Sequence, residues 1–355
     1  MSVLVAMSGG VDSSVAAGLL VEQGYHVEGF TLDFIPPEHD KRLKWSCGLG
    51  AVNNARSVCK SLGIKHHIIN CSDEFEQAVL RPAWNDYQYG KTPSPCINCN
   101  SKIKFKIMLD RAGEFGADMM ATGHYAIVTH GKNPTLSRGE YTPKDQTYFL
   151  FALSKKQLNF TMFPLAGLSK PRVRELAQKM GFENAKRAES QDSCFVTDNG
   201  GFSEALRIKF NGGIDSGDLF SSTGVLLGRH KGISNYTIGQ RKGLGIALGK
   251  KAYVSKIDAQ SRSIVLTTSV KDILSKGLIA HNVSWTGDVE PLFPLNAEVQ
   301  IRYRSKPVVC TADFDKDRRL VIKFETEQMA VTPGQAAVLY DKDRVLGGGW
   351  IVSSL

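Results

Sequence analysis

Ser8-Gly9-Gly10-Val11-Asp12-Ser13-Ser14 packs two glycines and three hydroxyls into one short stretch. A glycine pair lets the backbone turn with its N–H groups pointing inward, which makes a nest for an anion. The apolar run at 3–7 before it reads as a strand. The stripe of Val11, Val15, Ala16, Leu19 and Leu20 after it reads as a helix. The turn therefore opens onto a helix N-terminus, whose positive end favours phosphate. A plain strand–helix turn capped by Asp12 or Ser13 is the bland alternative. A Walker loop needs G-x-x-x-x-G-K-[ST], which does not occur; the run from Gly243 to Lys251 has the wrong spacing and lacks the hydroxyl. A dinucleotide fingerprint lacks its third glycine.

The second group with chemistry is Cys96-Ile97-Asn98-Cys99, which follows Thr92-Pro93-Ser94-Pro95. The two prolines predict a rigid extended loop leading into a helix that starts near Lys102. Thiols just ahead of a helix N-terminus are expected to have a lowered pKa and to form a metal clip. A redox pair, half a zinc site and part of an iron–sulfur site all share this spacing. A third candidate, Cys194, ends the polar run Glu189-Ser190-Gln191-Asp192-Ser193. Cys59 falls in a helical pattern and Cys310 in a strand, which suits core packing; Cys47 and Cys71 carry no decisive pattern. The seven cysteines are an odd number, which favours metal or catalytic thiols over a disulfide framework.

The elements that must position these groups alternate. Strands are expected at 3–7, 27–32, 66–70 and 118–122. Helices are expected up to Gly24, at 53–62, at 73–87 with a break near Pro82, and at 103–115. This is the pattern of an α/β fold, a parallel sheet with helices on both faces and ligands at the carboxyl ends of its strands. After Phe202 the texture turns rich in Gly and Ser. From Tyr253 onward it shows short strands at 263–268, 297–303, 308–314, 319–324 and 335–340, as in a small β-barrel. The 355 residues divide accordingly into a nucleotide-binding catalytic domain at 1–205, a Gly-rich central domain at 206–275 and a barrel at 276–355. The 44 Lys and Arg against 35 Asp and Glu give a charge of +9, which favours a polyanionic partner. No run approaches the ~20 apolar residues of a membrane span, and no secretory pattern is present, so a cytoplasmic location with no membrane partner is expected.

The SGGxDS pattern at Ser8–Ser13 resembles the PP-loop of the ATP pyrophosphatases, which cleave ATP to AMP and pyrophosphate. Further blocks resemble the tRNA-specific 2-thiouridylase family (MnmA/TrmU). They are TPSPCINCNSKIKF from Thr92, ATGHY from Ala121, KDQTYFL from Lys144, YTIGQRKGLGI from Tyr236, Arg302-Tyr303-Arg304, Thr332-Pro333-Gly334-Gln335 and Leu346-Gly347-Gly348-Gly349. The likeness covers essentially the whole chain. It implies an adenine nucleotide alpha-hydrolase-like N-terminal domain, a central RNA-binding domain and a C-terminal β-barrel. It also implies thiolation of C2 of the wobble uridine in tRNA, with ATP and Mg2+. For ATP the resemblance carries over Ala6, Met7, Ser8, Gly9, Gly10, Val11, Asp12, Ser13, Leu32 and Gly123, with Asp12 the nearest carboxylate for magnesium. For RNA it carries over Ser94, Pro95, His124, Lys144, Asp145, Gln146, Arg302, Tyr303 and Gln335, Tyr303 being suited to stack on an extruded base. Lys102, Lys104 and Lys106 alternate with Ile103 and Phe105 and are expected in an irregular turn along the RNA path.

In this family Cys194 corresponds to the cysteine that carries a persulfide, and Cys99 to the one that helps release the sulfur. Two departures stand out. Cys96 replaces the aspartate of the best-known members, and Gln191-Asp192-Ser193 replaces a glycine-isoleucine pair. Three thiols in place of two suggest a 4Fe–4S cluster on Cys96, Cys99 and Cys194, with one iron left open for sulfur. The alternatives are a metal-free persulfide relay, thiolation of another RNA, a small-molecule ligase of the same superfamily, or an RNA-binding protein with structural zinc. The expected partners are tRNA and a sulfur donor, whether a sulfur-carrier protein, a cysteine desulfurase or free sulfide; the chain is expected to act as a monomer.

Overall fold

The computed structural model describes residues 1–36, 38–45, 49–186, 194–197, 200–213, 216–246 and 248–355. Strand Ser2–Ala6 lies at the middle of a five-stranded parallel sheet. Its side chains alternate between two cores: Val3 and Val5 enter one, Leu4 the other, and all three are fully buried. That is why the run reads as continuously apolar. Helices Val11–Glu22, Leu49–Ser61 and Lys170–Lys179 cover the first face, while Phe105 and Met108 of Phe105–Arg111 cover the second.

The sheet strands, in chain order, are Ser2–Ala6, His26–Asp33, His66–Asn70, Met119–Ala121 and Thr161–Met162. Across the sheet they run third, second, first, fourth, fifth. The order reverses beside Ser2–Ala6, so the loop after that strand opens into the crevice where α/β folds bind ligands.

Three local expectations change. The helix expected from 103 begins at Pro95. It runs through Pro95–Asn98, a wide π turn at Cys99–Lys104 and Phe105–Arg111. Proline is well suited to the first helical position, where its missing N–H costs nothing. Cys96 and Cys99 therefore lie inside the helix, not ahead of it. The break expected near Pro82 falls one turn earlier, as a π turn at Glu76–Leu80, where the proline removes a bond to the preceding turn. Finally, a hairpin of Ala126–Thr129 and Thr135–Arg138 appears where no strands were expected.

That hairpin joins the distant barrel. Six strands close through pairing of Leu274–Trp285 with Arg344–Ser354, and Thr135–Arg138 extends the same sheet by pairing Leu136 with Val345 and Ser137 with Arg344. One apolar core accordingly contains Leu4, Phe105 and Met120 from the first domain together with Ala336, Val338 and Tyr340 from the barrel. Between them, a four-stranded sheet of Gly217–Ser221, Leu226–His230, Tyr253–Asp258 and Ser263–Thr267 has its own small core around Leu219, Val254 and Leu266. Among the described residues, no helix is long and apolar enough to cross a membrane.

Candidate active site

The turn after the first strand is held from three sides. Gly9 has φ +71°, and a Cβ there would stand 2.2 Å from the carbonyl oxygen of Ala51. The Gly10 carbonyl accepts from the hydroxyls of Ser13 and Ser14 at 3.0 and 2.9 Å. Asn184, buried, donates to the Gly9 carbonyl at 3.1 Å and to Ser14 Oγ at 2.9 Å. Gly123 presses on the opposite side, where a Cβ would stand 2.7 Å from the Ser13 amide nitrogen. The first turn of the helix is thus rigid, with its N-terminal end facing the crevice.

A cavity of about 220 Å³ lies there. Ala6, Met7, Ser8, Asp12, Ser13, Leu32 and Gly123 line it; Gly9, Gly10 and Val11 shape the turn without lining it. Phe30, Phe34 and Met108 add an apolar side, as a purine pocket requires. Asp12 Oδ1 accepts from Tyr125 Oη at 2.8 Å and from Lys170 Nζ at 2.6 Å. Lys170 belongs to a helix 158 residues away and is 8% exposed, and no sequence signal linked it to Asp12. Asp12 is the one carboxylate among the described cavity-lining residues.

Lys104 and His124 also line the cavity. The lysines expected in an irregular turn instead occupy the π turn and the helix after it, with Lys106 paired to Asp110 at 2.7 Å. Burial, with help from the Lys104 charge, pushes His124 down to about 3, so its imidazole is neutral. Its Nδ1 meets Thr122 Oγ1 at 2.8 Å.

The cysteines depart from expectation. Burial pushes Cys96 up to about 11 and Cys99 up to about 12, where a position ahead of a helix N-terminus would have lowered both. Cys96 is exposed to solvent, and Cys99 is buried. The positive charge of Lys104 opposes the rise at both. Cys194 stands at the start of strand Phe195–Thr197, which pairs with Leu43–Trp45, and its charge raises both Cys96 and Cys99. The three thiols are therefore electrostatic neighbours. Among the described residues, however, no three His, Cys, Asp or Glu side chains converge closely enough to hold a metal ion. Gln191-Asp192-Ser193 and Cys47 lie outside the described residues. Cys59, Cys71 and Cys310 are buried and their thiols raised by burial, as packing residues.

The residues expected to face RNA divide. Arg302 is exposed, Lys144 half-buried, and Tyr303 half-buried with its ring 4.3 Å from that of Phe149. Gln146 lines the cavity and accepts from the Tyr125 amide at 3.1 Å. Asp145 turns inward instead: its carboxylate takes Arg138 at 2.5 Å and the Thr147 hydroxyl at 2.8 Å. Ser94 is buried and Pro95 opens the cysteine helix. Gln335 spends its amide on backbone carbonyls of the loop before Cys96.

Comparison with known proteins then decides the family. Residues 1–198 match the tRNA methyl transferase HUP domain, 209–268 the tRNA methyl transferase PRC-barrel domain, and 275–351 the aminomethyltransferase beta-barrel domain. The tRNA-specific 2-thiouridylase MnmA of Geobacter metallireducens is 40% identical over 99% of this chain and 97% of its own. That of Halothermothrix orenii is 41% identical over 98% of each. The chain belongs to the MnmA family. Among solved structures, a 4-thiouridine synthetase–RNA complex with bound ATP aligns with 53% of this chain and 42% of that one, at 20% identity and a TM-score of 0.36. Within the MnmA family, this member joins an N-terminal parallel-sheet domain, whose residues line the cavity, to a central PRC-barrel domain and a six-stranded barrel.

Proposed function

We propose that this MnmA family member is an ATP-dependent tRNA sulfurtransferase that thiolates C2 of the wobble uridine. The observation that carries the reading is the position of Lys104: it lines the nucleotide cavity, and its charge acts on both Cys96 and Cys99. Activation and sulfur transfer thus share one wall.

An unactivated carbonyl oxygen is a poor leaving group. The uridine O2 attacks the α-phosphorus of ATP, pyrophosphate leaves toward the anion nest at residues 8–13, and the base carries AMP on O2. Magnesium would ride on the pyrophosphate and screen its charge, with Asp12 as its carboxylate; Lys170 and Tyr125 hold that carboxylate in place through Oδ1. His124, neutral, offers a hydrogen bond without adding charge beside Lys104.

For the second step, sulfur must attack C2 while the C2–O bond breaks and AMP departs. A persulfide on Cys194 attacks C2; the Cys99 thiolate then attacks the Cys194 sulfur, which frees the thiocarbonyl and leaves a Cys99–Cys194 disulfide for an external thiol to reduce. This route needs two sulfurs to meet, which suits thiols that sense one another without converging as three ligands. The donor set of Cys96, Cys99 and Cys194 has the chemistry for a 4Fe–4S cluster, but among the described residues no three ligands converge on a metal position, so no step is routed through it.

The deciding experiment supplies tRNA, ATP and a sulfur donor and follows AMP, pyrophosphate and 2-thiouridine together. AMP and pyrophosphate that depend on tRNA, with thiouridine in the product, support the reading. Release without RNA points to a small-molecule ligase, and RNA binding without AMP to a non-enzymatic module. Iron and acid-labile sulfide measured on anaerobically purified protein settle the sulfur step: about four of each per chain, lost in Cys96→Ser, would establish the cluster over the relay.

A further inference from the structure

The segment before the cysteine helix is gripped from both other domains. The Thr92 amide donates to the Pro333 carbonyl at 2.9 Å. Gln335 Nε2 donates to the carbonyls of Thr92 and Pro93 at 3.0 and 3.2 Å. From the central domain, Thr237 Oγ1 accepts from Thr92 Oγ1 at 3.0 Å. Gly334, at φ +90°, lies against the same segment, and a Cβ there would stand 2.8 Å from the Thr92 carbonyl oxygen.

An amide NH2 has two donors, and both of Gln335's go to backbone. Neither is left to read a base or hold a phosphate. Two prolines stiffen the stretch they hold, since each fixes its own φ and restricts the residue before it. Fixing the carbonyls of Thr92 and Pro93 therefore fixes where Pro95 begins the helix, and so where Cys96 and Cys99 sit, one and four residues further on.

We propose that Gln335 is a positioning residue for sulfur transfer: it ties the barrel to the 92–93 carbonyls and seats the cysteine helix over the activated base. The inference rests on the thiolation reading above. Reactions between held groups are sensitive to displacements of an ångström, so the loss should fall on the sulfur step.

The test uses the full chain with Gln335→Met, which keeps length and removes both donors. Thiouridine formation should fall about tenfold or more relative to AMP release in the same reaction. Labelling of Cys96 by iodoacetamide, read by peptide mass spectrometry, should accelerate several-fold while Cys310, buried in the barrel, stays unlabelled as the check on folding. Thr92→Val, which removes only the Thr237 contact, should show the same signature more weakly and carries the test if Gln335→Met does not fold. A raised KM for tRNA with unchanged Cys96 labelling would overturn the proposal in favour of an RNA contact, as would no change in any reading. Should the wild-type chain release no AMP with tRNA, the thiolation reading fails, and the labelling result still decides whether Gln335 seats the helix.

Discussion

Lys170 and Asp12 stand 158 residues apart in the chain and 2.6 Å apart in space. Asp12 lines the cavity on the side of the first helix, and Lys170 and Tyr125 both fasten the same carboxylate oxygen. A glycine-rich turn alone would hold a phosphate; the added pair fixes the one acidic group among the described cavity-lining residues against the neighbouring nest.

Lys170→Met should therefore cost more in activation than in affinity for RNA. The expected result is a fall of about a hundredfold in tRNA-dependent pyrophosphate release, comparable to losing one preorganised electrostatic group. Asp12→Asn in the same background should recover thermal stability, because no unpaired carboxylate is left, but not activity. Differential scanning calorimetry beside a pyrophosphate assay checks both.

The tight contacts around the turn make a second prediction. Gly123→Ala puts a methyl 2.7 Å from the Ser13 amide nitrogen, against backbone that cannot move without opening the nest. ATP-analogue binding measured by calorimetry should weaken by tenfold or more, about 1.4 kcal/mol. Recovery of wild-type affinity would show that the Gly123 approach is not what shapes the site.

Acid should weaken the fold through His124. Its folded pKa, about 3, lies below the ordinary value near 6.5, so the unfolded chain takes up a proton as pH falls and the folded chain does not. The stabilising contribution is complete above about pH 6.5 and is lost as pH falls toward 3. Because the ring borders an open cavity, a loss of about 1 kcal/mol by pH 5 is expected. Urea midpoints at pH 7.5 and 5 should converge in His124→Gln.

Arg138→Met should be more damaging than an average ion-pair deletion. Asp145 is buried, and losing its partner leaves a charge that, among the described residues, only Thr147 answers, at a cost of about 3 kcal/mol. Since one core spans the first domain and the barrel, unfolding should remain a single transition, lowered in temperature, when both are followed by separate probes.

Much of this was legible in the residues. Strand Ser2–Ala6 and the loop at Ser8–Ser13 were legible because continuous apolar runs and glycine pairs are local signals. The family blocks placed the cysteines together. What escaped depended on distance in the chain. Lys170 follows an unremarkable Ser169 cap, and its partner lies in another element. Leu136 and Ser137 form a strand because residues 344 and 345 are there to pair with them, not because of their own propensity. The cysteines read as loop residues because Thr92–Pro95 looks extended, but a proline at the first helical position starts a helix as readily as it ends one. Asp145 read as surface because a Lys-Asp-Gln turn is polar, and only the Arg138 partner turns it inward.

The shared sheet also sets an order of assembly. The hairpin at Ala126–Thr129 and Thr135–Arg138 leaves the ribosome long before its barrel partner, which follows roughly 200 residues later. Until Arg344–Ser354 has been made, Tyr148, Phe151 and Leu136 face no barrel, and the second face of the nucleotide domain stays incomplete. A chain still being translated can thus hold a formed phosphate turn yet lack the support beneath its cysteine helix. An early-terminated product would expose that face to chaperones and proteases.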